Sequence, residues 1–276
     1  MFLYHISIYT SKWPMIKFAF IIFLFAFIYH IKAQDLESDF FHFYSYNLDY
    51  KLNKKVHLKA GELFSFKSDS YELQFTLFKL GGTYRFSKRI STEFYYKPML
   101  FKGSTGDIWY HRLSALLNYR STLFSLPLKN TLTAESYSPR FKKYQYRFIY
   151  SIKLYFENNF LPLRATPYIK GQLYYYLGGK PLNYWDENGE TLLARNAPND
   201  FHRYRLGTGV RFRPASHFYI TLYYIWQEEF NTTFTKHRQL NILNKSQTAI
   251  KYAFNDYQVL GLGLTYYLTN KRKRNE

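Results

Sequence analysis

The side chains best suited to binding or chemistry in this sequence are basic and acidic residues that alternate with apolar ones. The set comprises Arg85, Glu93, Arg112, Arg120, Glu135, Arg147, Lys153, Glu157, Lys170, Arg203, Arg205, Arg211 and Glu229. Alternate residues of a strand point to opposite faces, so we expect these side chains to share one face of a sheet. Cations outnumber acids in the set, and unpaired positive charge facing water would give an anion-preferring channel or an anionic-ligand site. The alternative, which we favour, is a network of ion pairs that fills a narrow barrel, because buried charges must be paired.

The sequence contains few residues arranged for catalysis. It has no Gly-rich phosphate loop, no H-E-x-x-H and no G-x-S-x-G. His111 and Ser114 are the nearest pair for nucleophilic catalysis, but on one strand they would point to opposite faces. His202, beside the long 178–200 segment, could meet a Ser from another strand. We expect no enzyme activity, and an outer-membrane lipid hydrolase is kept as an alternative.

Composition limits the class of protein and its partners. The 276 residues include 30 Tyr, 27 Phe and no Cys, with 38 Lys and Arg against 19 Asp and Glu, a net charge of +19. Such aromatic content excludes a disordered chain and favours strands. The missing Cys and the scattered His residues predict no metal and no cofactor. The basic residues are spread along the chain rather than clustered, which argues against nucleic acid as a partner.

The amino-terminal segment has the layout of a secretory signal. Lys17 is followed by an unbroken apolar run from Phe18 to Tyr29, and cleavage is expected after Ala33. The run is shorter than the ~20 residues that a membrane-spanning helix needs, which argues against an uncleaved anchor. We therefore predict a signal peptide over residues 1–33, whose true start could be Met15, a β domain over 34–268 and a basic tail over 269–276.

Alternation with a period of two dominates the rest of the chain. In residues 144–156, Tyr146, Phe148 and Tyr150 alternate with polar residues such as Arg147 and Ser151, a pattern that only an extended strand separates into two faces. Candidate strands are 41–52, 56–66, 73–86, 90–101, 109–120, 128–137, 144–156, 164–177, 202–212, 218–229 and 257–268. No helical segment is expected between them.

Strand length and connection length favour a membrane barrel. Most candidate strands reach the ~9–11 residues that a tilted transmembrane strand needs. Tight turns alternate with the long segments 178–200 and 230–255, the layout of outer-membrane barrels. Aromatic residues are expected on the outer face near strand ends, at Tyr84, Phe86, Phe94, Tyr96, Tyr119, Tyr144, Tyr146, Tyr204, Phe218, Tyr224, Trp226 and Tyr266.

The expected fold is thus an all-β, antiparallel, up-and-down transmembrane β-barrel. The ranges number eleven, whereas bacterial single-chain barrels have an even number of strands. Either a further strand is hidden, for example within residues 236–251, or the first segment is not part of the wall. We therefore predict 10–12 strands and favour 12. A soluble exported lipocalin-like or β-sandwich binding protein is the alternative fold.

Several phrases of the sequence resemble a known family. They are Leu48–Lys55, Gly81–Phe86, His111–Leu113, Thr166–Ile169, Arg203–Gly207 and Leu260–Tyr266. In their order and spacing they resemble the domain of unknown function 2490, a family of exported proteins of Bacteroidetes-type bacteria regarded as outer-membrane barrels. The resemblance implies a location and a fold, but no reaction or ligand. Gly263, Tyr266 and Leu268 resemble the last-strand signal read by the barrel-assembly machinery.

The function expected from the sequence is that of a monomeric, non-catalytic outer-membrane barrel. It would be structural or provide a narrow passive path for small solutes. Its expected partners are outer-membrane lipid and lipopolysaccharide, together with the assembly machinery during insertion. Basic turn residues such as Lys54, Lys88 and Arg89 would meet anionic head groups. The segment Asn183–Glu190 is expected to be a solvated loop that turns at Asn188 and Gly189.

Overall fold

The described part of the chain is an all-β structure. A computed structural model describes residues 39–103, 106–156, 162–232 and 236–269. Its strands are β1 (Asp39–Lys51), β2 (Val56–Lys67), β3 (Leu73–Arg85), β4 (Ile90–Phe101), β5 (Ile108–Leu123), β6 (Leu126–Ser138), β7 (Tyr146–Tyr155), β8 (Thr166–Leu177), β9 (Leu182–Trp185), β10 (Leu192–Asn196), β11 (Phe201–Ala215), β12 (Phe218–Glu229), β13 (Ile242–Leu243), β14 (Ile250–Lys251) and β15 (Tyr257–Thr269). Within these ranges no helix is long and apolar enough to span a bilayer. The predicted signal peptide and residues 270–276 of the predicted tail lie outside the described residues.

Eleven of these strands form one closed barrel. Strands β1 to β8 are hydrogen-bonded in sequence order, β11, β12 and β15 continue the wall, and β15 returns to β1. The pairs from β1–β2 round to β12–β15 are all antiparallel. The closing pair is parallel and runs in unbroken register from Asp39 opposite Tyr257 to Lys51 opposite Thr269. Closure leaves the barrel wall without a free strand edge.

The preference for twelve strands is wrong, and so is the expectation that every pair is antiparallel. An odd number of up-and-down strands makes the first and last strands run the same way, so only a parallel ladder closes the wall. The eleven ranges proposed from alternation each overlap one barrel strand. Instead of the strand expected within 236–251, the structure has two strands of two residues each, β13 and β14, which pair in a separate small sheet.

The two ends of the barrel differ in their connections. Residues 52–55, 86–89, 124–125 and 216–217 make tight turns at one end, here called the short-turn end. The opposite, long-loop end carries the connections 178–200, which contains the β9–β10 hairpin, and 230–256, which contains β13 and β14. Strand β1 begins at the long-loop end, and β15 finishes at the short-turn end.

Alternation along the strands places apolar side chains outside and polar side chains inside. On three adjacent strands, Leu80, Phe94 and Leu113 are 65%, 63% and 60% exposed. On β7, Phe148 faces outward, while Arg147 and Ser151 are buried in the interior. The exterior of the wall is therefore mainly apolar, with Glu62 as an ionisable exception between the outward-facing Tyr46 and Phe78. The lumen carries most of the charged side chains of the strands.

Tyr144 is an exception to the expected outer aromatic rows. It precedes β7 and is buried, with its ring 5.3 Å from that of Tyr137 and 4.5 Å from that of Tyr176. The alternation of 144–156 was extended past the true start of the strand at Tyr146. Because the chain turns inward there, Tyr144 belongs to the interior.

Candidate functional site

Three carboxylates organise the charged side chains of the lumen. Glu93 on β4, Glu135 on β6 and Glu229 on β12 are all buried, and each contacts at least two cationic side chains. Each also accepts a hydrogen bond from a tyrosine hydroxyl. Buried charge of this kind is tolerated when the charged atoms are paired and hydrogen-bonded.

The Glu135 cluster collects the most cations. Arg147 donates from Nε and Nη2 to Oε2 at 2.9 and 2.5 Å. Lys97 and Arg112 lie opposite each other on β4 and β5, and each places a nitrogen 3.8 Å from Oε1. The Tyr137 hydroxyl donates to Oε2 at 2.9 Å. One carboxylate thus contacts three cations deep in the barrel, so the cluster keeps a formal positive surplus.

The Glu93 cluster lies nearer the short-turn end. Lys59 donates to Oε2 at 3.0 Å, and Lys129 Nζ is 3.9 Å from Oε1. The Asn118 amide donates to Oε1 at 2.9 Å, and the Tyr95 hydroxyl also donates to this carboxylate. Both oxygens of Glu93 are therefore engaged.

The Glu229 cluster joins the wall to the long-loop connections. Arg203 and the Tyr176 hydroxyl donate to Oε1 at 2.6 and 2.7 Å. Lys143, from the β6–β7 connection, donates to Oε2 and also to the Ala253 carbonyl at 2.6 Å. Burial lowers the pKa of the Lys143 amine, and the Glu229 carboxylate opposes that shift.

Aromatic side chains and a loop residue fill the lumen at the long-loop end. Tyr137, Tyr174 and Tyr176 are among the most deeply buried residues, and Leu240 from the 230–256 connection packs into the same cluster with none of its surface exposed. Asn231 fixes Leu240 by donating to its carbonyl at 2.8 Å and accepting from its amide at 2.7 Å. The described side chains therefore pack together across the lumen at this end.

The short-turn end instead contains a cavity of about 630 Å³. Its charged lining residues are Asp49, Lys59, Arg85, Glu93, Arg120, Lys129, Arg164, Arg211 and Arg213, and His57 also lines it. Seven of these are basic and two are acidic. The arrangement is suited to holding an anion, because several guanidinium groups face one space.

The five arginines of this cavity have no carboxylate partner within 4.0 Å among the described residues; they are Arg85, Arg120, Arg164, Arg211 and Arg213. The acids are engaged elsewhere, Asp49 by His57 Nδ1 at 2.8 Å and Glu93 by two lysines. This basic cavity is the candidate functional site.

The sequence-predicted set is divided between these clusters and the cavity. Arg112, Arg147 and Arg203 join ion pairs, and Arg85, Arg120 and Arg211 line the cavity. Lys153 lies opposite Lys170 on neighbouring strands. Arg205 donates to Gln227 at 2.6 Å and to the Tyr257 hydroxyl. Glu157 lies outside the described residues.

Several interior residues were missed by the sequence analysis. Lys59, Lys97 and Lys129 contact the predicted carboxylates, and Asp49 pairs with His57 across β1 and β2. All of them lie on the inward-facing positions of their strands, as their predicted neighbours do. Assigning every second residue of each strand to the interior would have found them.

The residues considered for catalysis do not form a triad. His111 and Ser114 lie on opposite faces, with His111 Nδ1 2.6 Å from the Tyr96 hydroxyl and Ser114 bonded to Glu135 at 3.3 Å. His202 Nδ1 contacts the Phe230 carbonyl at 3.1 Å.

A different histidine, His42, has a serine partner. His42 Nε2 lies 3.1 Å from Ser68 Oγ at the long-loop end. Within the described ranges no carboxylate contacts His42. The pair therefore has a base and a hydroxyl, but no acidic group that orients the imidazole.

The loop and last-strand predictions fall outside the lumen. Residues 182–185 form strand β9 rather than a solvated loop, and a turn follows in which the Gly189 amide donates to the Asp186 carbonyl at 3.1 Å. On β15, Tyr266 and Leu268 are exposed on the outer face, and Gly263 shares the inner phase opposite Ser45. The described residues contain no cluster of three metal-ligating side chains.

No protein-family model matches the chain, and no curated protein matches it either. The function proposed below rests on the fold and on the placement of side chains.

Proposed function

We propose that this chain is an exported, monomeric β-barrel of the bacterial outer membrane that performs no catalysis. The observation that carries the proposal is the apolar exterior of the wall, with Leu80, Phe94 and Leu113 as its most exposed members. Monomeric soluble proteins rarely expose apolar patches larger than a few hundred Å², whereas a lipid-facing wall requires such a surface. Outer-membrane lipid and lipopolysaccharide would surround it, and the assembly machinery would insert it through the Gly263, Tyr266 and Leu268 signal.

The same observation separates this proposal from a soluble lipocalin-like binder. A soluble barrel keeps polar side chains outside and binds apolar ligands inside. Here the lumen carries the charged clusters of Glu93, Glu135 and Glu229, and the exterior is mainly apolar. Membership of the domain of unknown function 2490 family remains a prediction of the sequence.

Of the two roles predicted from the sequence, structural and passive path, we favour the structural one. Leu240 and the tyrosine cluster fill the long-loop end, and the Glu135 cluster occupies the lumen on the same side. A path for solutes would have to displace these packed groups. We therefore propose a barrel that is closed toward the long loops and hollow toward the short turns.

Fractionation and gel mobility test the membrane proposal. The full chain expressed in a Gram-negative host should be found in the outer-membrane fraction, should be extracted only by detergent and should migrate faster on gels before heating than after. Purified protein in planar bilayers should give no steady conductance. Recovery of the protein in the soluble periplasmic fraction, without detergent, would refute the membrane placement. Stable open channels in planar bilayers would refute the closed lumen.

One observation favours a lipid-active hydrolase as a second candidate. The His42–Ser68 contact of 3.1 Å supplies a general base beside a hydroxyl nucleophile. Detergent-folded protein would then release fatty acid from phospholipid micelles, and Ser68→Ala would abolish that release. Ser70→Ala, in the same turn but without a His contact, is the matched control. Equal release by wild type and Ser68→Ala would remove this candidate.

A further inference from the structure

The basic cavity has a charge imbalance that the protein does not neutralise with its described residues. Seven of its lining side chains are basic and two are acidic. Asp49 is already bound to His57, and Glu93 to Lys59 and Lys129. The surplus positive charge is therefore carried by arginines that have no acidic partner within the described ranges.

A row of like charges runs from the cavity into the wall. Arg120 on β5 lies opposite Lys129 on β6, Lys129 opposite Lys153 on β7, and Lys153 opposite Lys170 on β8. Like charges directly opposite each other on neighbouring strands destabilise a sheet. Among the described residues, the only carboxylate within 4.0 Å of these four side chains is that of Glu93, which contacts Lys129 at 3.9 Å.

The Glu135 cluster shows a like-charged pair that shares a carboxylate. Lys97 and Arg112 are also cross-strand neighbours, but both contact Glu135 at 3.8 Å. Lys153 instead has its Nζ 3.4 Å from the ring centroid of Tyr168. The row beside the cavity therefore differs from the Lys97–Arg112 pair in its smaller number of carboxylate contacts.

Aromatic groups hold two of the cavity arginines in place. Arg211 has its guanidinium carbon 3.9 Å from the ring centroid of Tyr219 and donates to the Tyr267 hydroxyl at 2.9 Å. Arg213 stacks on the same Tyr219 ring at 5.4 Å. An aromatic ring orients a guanidinium without neutralising its charge. Both arginines are thus positioned in advance for an anion.

Buried polar atoms of the lining also lack protein partners. Arg213 Nε and His57 Nε2 are buried and have no hydrogen-bond partner among the described residues. Buried polar atoms are seldom left unsatisfied in folded proteins, and of these two Arg213 Nε is always a donor. Charge surplus, oriented guanidinium groups and an unsatisfied guanidinium donor all occur in the same cavity.

We propose that the basic cavity is a binding site for a small anion that carries phosphate groups, held by Arg85, Arg120, Arg211 and Arg213 with Lys129. Guanidinium forks match phosphate oxygens in geometry, and two or more negative charges are needed to offset several arginines. A volume of about 630 Å³ suits a molecule of ordinary ligand size. The site goes beyond the membrane placement and does not depend on it.

Calorimetric titration of detergent-folded, full-length protein with inorganic pyrophosphate tests the site. Wild type should bind, with affinity that falls as salt is raised, because the contacts are electrostatic. Arg85→Gln and Arg120→Gln should each weaken binding about tenfold, the effect of losing one charge-assisted contact. Arg89→Gln removes the same charge from the adjacent turn, outside the cavity, and should bind as wild type does.

A parallel titration identifies the source of the phosphate. Bicelles containing phosphatidic acid replace pyrophosphate, with phosphatidylcholine bicelles as the blank. Binding of pyrophosphate that Arg120→Gln weakens supports a free phosphate compound. Binding of phosphatidic acid alone, again weakened by Arg120→Gln, supports a lipid head group in the same site.

Two results would overturn the proposal. One is that neither pyrophosphate nor phosphatidic acid binds to wild-type protein that shows the gel mobility of a folded barrel. The other is that Arg89→Gln weakens binding as much as Arg120→Gln does, because general attraction to a basic protein would then account for the signal.

Discussion

Replacing Glu135 by Gln should destabilise the barrel, because three cationic side chains contact this buried carboxylate. The carboxylate accepts hydrogen bonds from two nitrogens of Arg147 at 2.9 and 2.5 Å. A nitrogen of Lys97 and one of Arg112 each lie 3.8 Å from its other oxygen. Its side chain is 4% exposed. The substitution is nearly isosteric, so it removes charge while it preserves volume.

The expected loss follows from the burial of the partners. Removing one member of a buried ion pair costs roughly 3–5 kcal/mol, because the remaining charge is left uncompensated. Lys97 and Arg112, with side chains 13% and 15% exposed, keep some contact with solvent. The Gln amide oxygen can still accept from Tyr137. We therefore expect a loss of about 3 kcal/mol, the lower end of that range.

Equilibrium unfolding of the vesicle-folded barrel in urea, followed by tryptophan fluorescence, measures this free energy. Glu190→Gln, an exposed acid beside the β9–β10 hairpin, should change stability by less than about 0.5 kcal/mol. Adding Arg147→Gln to Glu135→Gln should cost less than the two single losses together, because both partners are then neutral. If Glu135→Gln lowered the free energy of unfolding by no more than Glu190→Gln does, the assignment of Glu135 as the centre of the cluster would be refuted.

Two further predictions concern the wall. The chain has no Cys, so Ser45→Cys with Gly263→Cys should give a disulfide under oxidation, because these residues are opposite each other in the parallel β1–β15 pair; no cross-link in folded protein would contradict the eleven-strand closure. Leu80→Arg, in the middle of β3 on the outer face, should cost roughly 2–4 kcal/mol in lipid vesicles. Leu193→Arg in the exposed β10 should not, and equal effects of the two would contradict a lipid-facing wall.

Local alternation was sufficient to find the wall strands. Side chains of a strand alternate between lipid-facing or solvent-facing and interior positions, so each segment carries its own signal. For example, 90–101 and 218–229 coincide with β4 and β12. The same signal placed Arg112, Arg147 and Glu135 on one face without any knowledge of their partners.

The strand number failed because it depends on a contact between the two ends of the barrel sequence. The pairing of Asp39 with Tyr257 joins residues more than two hundred positions apart, and nothing local to either strand specifies it. The even-number rule comes from barrels whose first and last strands are antiparallel. The eleven segments already implied that the first and last strands run the same way.

The filled end of the lumen was also beyond local patterns. Tyr174 and Tyr176 face inward while Tyr146 and Tyr150 face outward, so aromatic character alone does not distinguish the faces. Leu240 lies in a long connection with no periodicity, and its burial depends on the side chain of Asn231. Such contacts form only when distant loops meet over the barrel.

The two interpretations of the inner charges, ion pairing and anion binding, apply to different parts of one lumen. Toward the long loops, Glu135 and Glu229 each contact two or three cations and a tyrosine hydroxyl in a packed interior. Toward the short turns, Asp49 and Glu93 are the acids among the described lining residues, and seven basic side chains surround open volume. Five of these basic side chains are arginines that have no carboxylate within 4.0 Å among the described residues. These arginines at the hollow end are therefore the feature of the described lumen that packing alone does not explain.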